Sequence, residues 1–212
     1  SFMAAWLAAG ACLQGVDMLL ENACDGFFAL VRPPGHHALA DRAGGFCVIN
    51  NVAVAARYAL HRHGLKRILI ADWDVHHGNG LNDIFQEERG VYYFSTHDLM
   101  LYPYSGELGQ TGAGEGEGRT MNIPISREFT DDDMVHLYQN TLLPVIAGFA
   151  PDLIIVAAGF DAHRDDPIGR CRFSEEVFSR LTRLLMTASQ ATAWPTPLLF
   201  ALEGGYDPPA LA

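Results

Sequence analysis

Five short stretches of this sequence carry side chains that could do chemistry, and an apolar run precedes each of them. They are Arg32-Pro33-Pro34-Gly35-His36-His37, Asp72-Trp73-Asp74-Val75-His76-His77-Gly78-Asn79-Gly80, His97-Asp98, Gly159-Phe160-Asp161-Ala162-His163 and Glu203-Gly204-Gly205-Tyr206-Asp207. In an extended chain alternate side chains share a face, so Asp72, Asp74 and His76 would point one way and Trp73 and Val75 the other. Two carboxylates and an imidazole suit a divalent transition metal. Asp161, from another strand end, would complete three protein ligands and leave a position open for water and substrate. Two Asp and one neutral His would also cancel the charge of a dication. The same run reads equally as a capping and ion-pair network at a strand terminus.

The tandem His36-His37 follows a stiff Arg-Pro-Pro-Gly turn. One imidazole could serve as a base beside an activated water and the other as an acid or electrostatic partner, which requires their pKa values to differ. Asp72 and Asn79 are the partners that could orient them, and an ionised acceptor raises an imidazole's basicity more than an amide does. Satisfied loop histidines are the plainer alternative. Tyr206 is either a packed aromatic or, because Gly204 and Gly205 let backbone approach a ligand, an inward-pointing oxyanion donor. The glycine-rich stretch from Ser105 to Gly118 carries Glu107, Glu115 and Glu117 and no lysine, which is wrong for a phosphate cradle; it reads as a mobile surface loop. His61 and His63 read as solvated, and Cys47 and Cys171 lack an activating context.

The elements that must position these groups are visible as β-branched or aromatic runs at 27–31, 67–71, 91–94, 153–157 and 198–202, which read as buried strands. Segments of helical character lie between them, at 3–20, 52–63, 131–149 and 175–189. The third opens with Thr130 and Asp133 in capping-box spacing. Alternating strands and helices predict an α/β fold, a mainly parallel sheet between two helical layers, whose ligands bind beyond the carboxyl ends of the strands.

Composition narrows the class. The 212 residues carry 14 Lys+Arg against 25 Asp+Glu, a formal charge of −11, which argues against a surface built to neutralise phosphates and for attraction of cationic substrates. Four scattered cysteines without a CxxC pair indicate a reducing compartment, read as the cytoplasm. No apolar run approaches the roughly 18 to 20 residues of a membrane span, so neither a membrane nor a nucleic acid is expected as a partner. With no linker or repeat, residues 1–212 read as one domain. The apolar start and the Ala210-Leu211-Ala212 end read as truncation on both sides.

Taken in order from Phe27 to Tyr206, Arg32-Pro33-Pro34-Gly35-His36-His37-Ala38, Gly44-Gly45-Phe46-Cys47-Val48-Ile49-Asn50-Asn51, Asp72 to Gly80, Ala158-Gly159-Phe160-Asp161-Ala162-His163 and Leu202-Glu203-Gly204-Gly205-Tyr206 resemble the zinc-dependent histone deacetylase family. The likeness is greatest to class II-like and bacterial members, including histone-deacetylase-like amidohydrolases and acetylpolyamine amidohydrolases, because Arg-Pro-Pro precedes the His pair and Asn stands at 79. Class I enzymes usually have Asp there.

The resemblance implies an arginase/deacetylase-like three-layer α/β/α fold with one catalytic Zn²⁺, or Fe²⁺, on Asp74, His76 and Asp161. It implies hydrolysis of acetyl or other short acyl groups from amines, with His37 as main general base and an imidazolium protonating the leaving amine. Asp72 would orient His36, Asn79 would orient His37, and Tyr206 would polarise the carbonyl. Phe46 and Tyr102, with Gly45 and Gly205, would wall a narrow channel; the second aromatic is commonly Phe in the family. A structural K⁺ or Na⁺ would draw on Asp72, main-chain oxygens of Asp74 and His76, and Ser95. The implied substrates are acetylated lysine side chains or acetylated polyamines, and an oligomer is compatible with the resemblance. Ile168 lies where a polyamine-selective relative carries an acidic gatekeeper, which leans towards acetyl-lysine. Binuclear ureohydrolases are similar in fold but carry a further Asp where this chain has Gly78, and Asp-x-Asp where it has Asp161-Ala162-His163. A non-catalytic acyl-lysine or partner-binding module is the alternative of another class; the presence of Tyr206 argues against it.

Overall fold

The computed structural model describes residues 2–191 and 195–211; Ser1 and Ala212, the two ends read as truncated, lie outside them. Six strands form one sheet: β1 Phe27–Ala29, β2 Ile68–Asp72, β3 Val91–His97, β4 Thr120–Pro124, β5 Leu153–Ala158 and β6 Leu198–Leu202. Their order is β1-β6-β5-β2-β3-β4, and every neighbouring pair is parallel. Six helices surround it: α1 Phe2–Leu20, α2 Asn51–Arg62, α3 Asn79–Phe85, α4 Asp131–Asn140, α5 Leu142–Phe149 and α6 Glu175–Gln190.

Strand periodicity divides the core. Ile68 and Ile70 of β2 and Leu153, Ile155 and Ala157 of β5 face one layer, with Ala8, Cys12 and Val16 of α1, Ala55, Ala56 and Ala59 of α2, and Leu81 and Phe85 of α3. The intervening Leu69, Ala71, Ile154, Val156 and Ala158 face the other, with Met134 and Tyr138 of α4, Leu142 and Ile146 of α5, and Val177, Leu181 and Leu185 of α6. A strand covered on both faces must be apolar along its whole length, which is why β2 and β5 read as unbroken apolar runs. The three-layer α/β/α expectation is met.

The structure departs from the sequence expectations in several places. The single helix expected over 131–149 is two, because Pro144 has no N–H to give the carbonyl of residue 140 and its ring crowds that carbonyl. The capping box at its start is present, with Thr130 and Asp133 bonded reciprocally. β4 was missed because it is a short edge strand of sequence TMNIP, half-exposed and ending in Pro. α3 was missed because its seven residues were read as loop. The stretch read as a mobile loop is pinned: Ala113 N–H donates to Gln86 O at 2.7 Å, Thr120 N–H to Thr111 O at 3.1 Å, and Ser105 Oγ meets His77 Nδ1 at 2.8 Å. Finally, α1 contains a window of mean hydropathy 1.4, so it has the length and composition of a membrane span, contrary to the run-length reading. Seven of its residues, Ala5 to Leu19, are buried in this fold, while Phe2, Met3, Trp6 and Leu7 are exposed.

Candidate active site

Strand numbers run outward from the middle of the sheet in opposite directions, β2 to β3 to β4 on one side and β5 to β6 on the other. The switch between β2 and β5 is where a parallel sheet leaves a crevice at its carboxyl edge. Asp74 and His76 follow β2, and Asp161 follows β5.

The extended geometry expected for Asp72-x-Asp74-x-His76 stops at Asp72, where β2 ends. Beyond it two local turns take over: Asp72 Oδ1 accepts from Asp74 N–H at 3.2 Å and Asp74 Oδ1 accepts from His76 N–H at 2.8 Å. The outcome is nevertheless the one alternation predicts. Trp73 and Val75 are buried in the apolar core on the α4–α6 side, and Asp74 and His76 turn towards Asp161. His76 Nδ1 lies 3.0 Å from Asp74 Oδ1 and 3.0 Å from Asp161 Oδ2. One ligand atom from each of the three lies within 4.8 Å of the others, all three side chains are buried, and the group could hold a metal ion. Two further N–H groups aim the carboxylates: Val75 N–H donates to Asp161 Oδ1 at 2.9 Å and Gly204 N–H to Asp74 Oδ2 at 2.6 Å.

The donor set fits a dication. Burial and then the charge of Asp74 raise Asp161 to about 7, the behaviour of two carboxylates crowded into one dry site. Burial opposes charge on His76 too, but hydrogen bonds and charge from Asp161 and Asp74 outweigh it and bring the ring to about 10. A bound cation would relieve the repulsion and take the place of that proton.

The histidine pair stands beside this group, its ring centroids 4.0 Å apart. His36 Nδ1 is 3.1 Å from Asp72 Oδ2 and His37 Nδ1 is 2.9 Å from Asn79 Oδ1. This one difference separates them. Burial works against charge on both rings, but the carboxylates of Asp74, Asp72 and Glu203 raise His36 well above the usual range. His37 has only an amide partner, and burial and then charged His36 lower it to about 3. A charged ring and a neutral one therefore sit side by side, as acid–base division of labour requires.

Tyr206 closes the far side. Burial and then the charge of Asp74 hold its phenol above the usual range, so the hydroxyl keeps its proton and can donate. Phe46 and Tyr206 rings are 6.0 Å apart and Tyr102 lies edge-on to His37 at 4.9 Å. Gly45, at φ +53°, fits between His37 and Tyr102; a Cβ there would be 2.8 Å from Tyr102 Cε1. Phe46 itself sits at φ +66°, in the left-handed region, and the residue is 70% exposed. Gly205, at φ +121°, turns the chain into Tyr206 against Phe160 and Leu211. Ile168 is 40% exposed, and its N–H donates to Asp166 Oδ1 at 2.8 Å.

Some expected groups lie elsewhere. His97 bonds Gly106 O at 2.8 Å and Ser95 Oγ at 2.9 Å, and Asp98 accepts from Met100 N–H; neither reaches the metal-ligand group. Ser95 is thus engaged by His97, while Asp72 Oδ2 also takes the Tyr93 hydroxyl at 3.0 Å. His163 pairs with Glu175 at 3.5 Å, away from the trio, and a Cβ on Gly78 would already overlap Asp72 Oδ2, which leaves no room there for a second carboxylate cluster. His63, read as solvated, bonds Asp17 at 2.8 Å. A groove of about 730 Å³ among Val135, Leu143, Ile146, Leu184 and Ala188 contains none of the reactive groups.

Arg32 and Glu203, which stand in the motifs above without an assigned role, and Asp166, which lies outside them, all bond to the backbone of these strand ends. Arg32 donates to the carbonyls of Glu203 and Gly205 and lies 5.5 Å from the Tyr206 ring centroid. Glu203 Oε2 accepts from Gly35 N–H at 2.6 Å and His36 N–H at 3.0 Å, anchoring the His-pair segment to the end of β6. Such side chain–backbone ties leave no spacing signature in a sequence.

Comparison with known proteins matches residues 1–212 to the histone deacetylase domain. Histone deacetylase 10, chloroplastic, of Oryza sativa subsp. japonica is 42% identical over 98% of this chain and 48% of its own length. Polyamine deacetylase HDAC10 of Homo sapiens is 42% identical over all of this chain and 32% of its own. The crystal structure of the HDA15 HD domain superposes with a TM-score of 0.91 at 40% identity, covering 98% of this chain and 60% of that one. The chain thus spans half or less of these curated relatives' length. The catalytic-looking strand ends, the fold that carries them and these likenesses agree: the chain belongs to the histone deacetylase family.

Proposed function

We propose that this chain carries the active site of a metal-dependent amidohydrolase that removes acetyl or other short acyl groups from acyl-lysine. The observation that carries the reading is the juxtaposition of the Asp74, His76 and Asp161 group with two adjacent imidazoles, one bonded to the Asp72 carboxylate and the other to the Asn79 amide. A divalent metal on those three ligands, Zn²⁺ or alternatively Fe²⁺, would supply Lewis acidity to the acyl carbonyl and acidify water. His37, neutral and oriented by Asn79, takes the proton of the attacking water. Tyr206 donates its hydroxyl hydrogen to the oxygen on which charge develops. His36, kept cationic by Asp72 and Asp74, stabilises that charge and is the proton reservoir from which the leaving amine is neutralised. Phe46 and Tyr102 flank the methylene stem and exclude water from it.

Asp72, Ser95 and the main-chain oxygens of Asp74 and His76 are the groups that would hold a structural K⁺ or Na⁺. The apolar residue Ile168 favours acetyl-lysine. Acetylated polyamines are the second reading, supported by the −11 formal charge and by the polyamine deacetylase among the relatives. The test is acetate release from an acetyl-lysine peptide and an N-acetylated polyamine by the zinc-loaded protein, with Tyr206→Phe alongside. Chelator-sensitive release, lowered about 10²- to 10³-fold in the variant, is expected. A folded, zinc-loaded protein that releases nothing from either substrate overturns the hydrolase and leaves a binding module.

A further inference from the structure

Asp166 lies in the loop after β5, five residues beyond Asp161, and is 8% exposed. Among the described residues no cation pairs with it. Its carboxylate is satisfied by main-chain N–H groups from two separate segments: Oδ1 accepts from Ile168 at 2.8 Å and Gly169 at 2.9 Å, and Oδ2 accepts from Tyr206 at 2.7 Å. On the other side of the same peptide, Arg32 holds the Gly205 carbonyl at 2.6 Å. The backbone that presents the Tyr206 phenol is therefore gripped by a cation before it and an anion at it. A neutral amide at 166 could not serve both segments, because its nitrogen does not accept. Bonds from N–H groups to an ionised carboxylate are roughly twice as strong as neutral ones, and an oxyanion donor is effective only when held within roughly 0.5 Å of its productive place.

We propose that Asp166 is a positioning residue for Tyr206, and that it ties the location of the phenol to that of Ile168. The proposal rests on the reading of Tyr206 as the oxyanion donor.

Two variants test it, Asp166→Asn, which keeps the shape, and Asp166→Ala. In the zinc-loaded protein, Asp166→Ala should lower kcat about 10- to 100-fold with KM moved less than about threefold, and Asp166→Asn should fall between it and wild type. Combined with Tyr206→Phe, either change should add less than about twofold to the loss from Tyr206→Phe alone, measured with excess enzyme. A merely structural role would multiply the two losses. A second readout needs no metal: amide hydrogen exchange in Asp166→Ala should speed up at Tyr206, Ile168 and Gly169 together, and not at Gly204, whose amide is held by Asp74. Multiplicative losses, or a Tyr206 amide still protected in Asp166→Ala, overturn the assignment while leaving the hydrolase reading intact. A wild-type protein silent on both substrates removes the hydrolase reading, and the role given to Tyr206 with it.

Discussion

The two ends of the one sheet treat charge in opposite ways. At the amino ends of β2 and β5, Arg67 and Asp152 pair at 3.0 Å, with Asp152 also accepting the N–H groups of Lys66 and Arg67 at 2.9 Å, all near solvent. Arg57 and Glu88 pair in the same manner near the start of β3. At the carboxyl ends, Asp72, Asp74, Asp161 and Glu203 are fully buried, with His36, His37 and His76 beside them. Water makes the first arrangement inexpensive and weak. The second has no water to help it and is stabilised only by mutual arrangement, so the same strands carry a desolvation cost at one end that stability alone does not require. The difference teaches that charge at the amino edge serves the fold, whereas charge at the carboxyl edge is sustained by the fold for chemistry.

That contrast can be broken from either end. The largest effect is expected for Asp161→Asn. Activity should fall on the order of 10³-fold or more, because the ligands act as a set, and bound metal measured after dialysis should be lost with it. The metal-free variant should melt no lower than metal-free wild type, since the change removes one of two repelling carboxylates; a lower melting temperature would mean that the carboxyl edge serves stability after all. Next, His37→Ala should lower kcat by about 10²- to 10⁴-fold with native melting behaviour, the usual range for loss of a positioned base. A loss under tenfold would take the base assignment away from His37.

Glu203 sharpens the comparison through pH. Burial, despite the opposing charge of His36, raises its carboxyl from 4.5 to about 7. Between those values the native protein keeps a proton that the unfolded chain has released, so Glu203 makes stability decline as pH rises across this window and then level off. The expected fall is about 3 kcal/mol. Because Asp161, also raised to about 7, contributes a decline of its own over the same window, the test is the difference between urea unfolding curves of wild type and Glu203→Gln, which should shrink by this amount as pH rises; parallel curves would contradict it. The smallest effect belongs to the amino edge. Asp152→Ala should cost about 1 kcal/mol or less and leave kcat/KM unchanged.

How much of this was readable in the sequence varies with the kind of partner involved. Asp74, His76, Asp161, the His pair and Tyr206 were legible because each follows an apolar run and a parallel sheet gathers such ends, although β1, ahead of the His pair, is an edge strand with Phe28 exposed and not the buried strand expected over 27–31. Asn79 was legible as a partner of His37 although the helix that begins with it was not recognised. The ring of Phe46 could be placed at the channel, but not its φ of +66°. Glu203 could not be placed, because its partners are N–H groups 167 to 168 positions away, and neither could the tie from Asp166 to Tyr206 across 40 positions, although the other two bonds of Asp166 form a local turn onto Ile168 and Gly169. Pro144 was an available signal for the α4–α5 break and was overridden by continuous helical periodicity. In α1, Gln14, Asp17 and two glycines interrupt any strict apolar run, whereas averaged hydropathy passes over them.

Gly204 contributes to this site by having no side chain. Its N–H holds Asp74, and a Cβ at that point would overlap Asp161 Oδ2 and stand 2.5 Å from Asp74 Oδ2. In genetic terms the position offers no harmless missense step. Every single-base change of a glycine codon that substitutes another amino acid adds that carbon, and so puts an atom where the carboxylates of Asp74 and Asp161 meet.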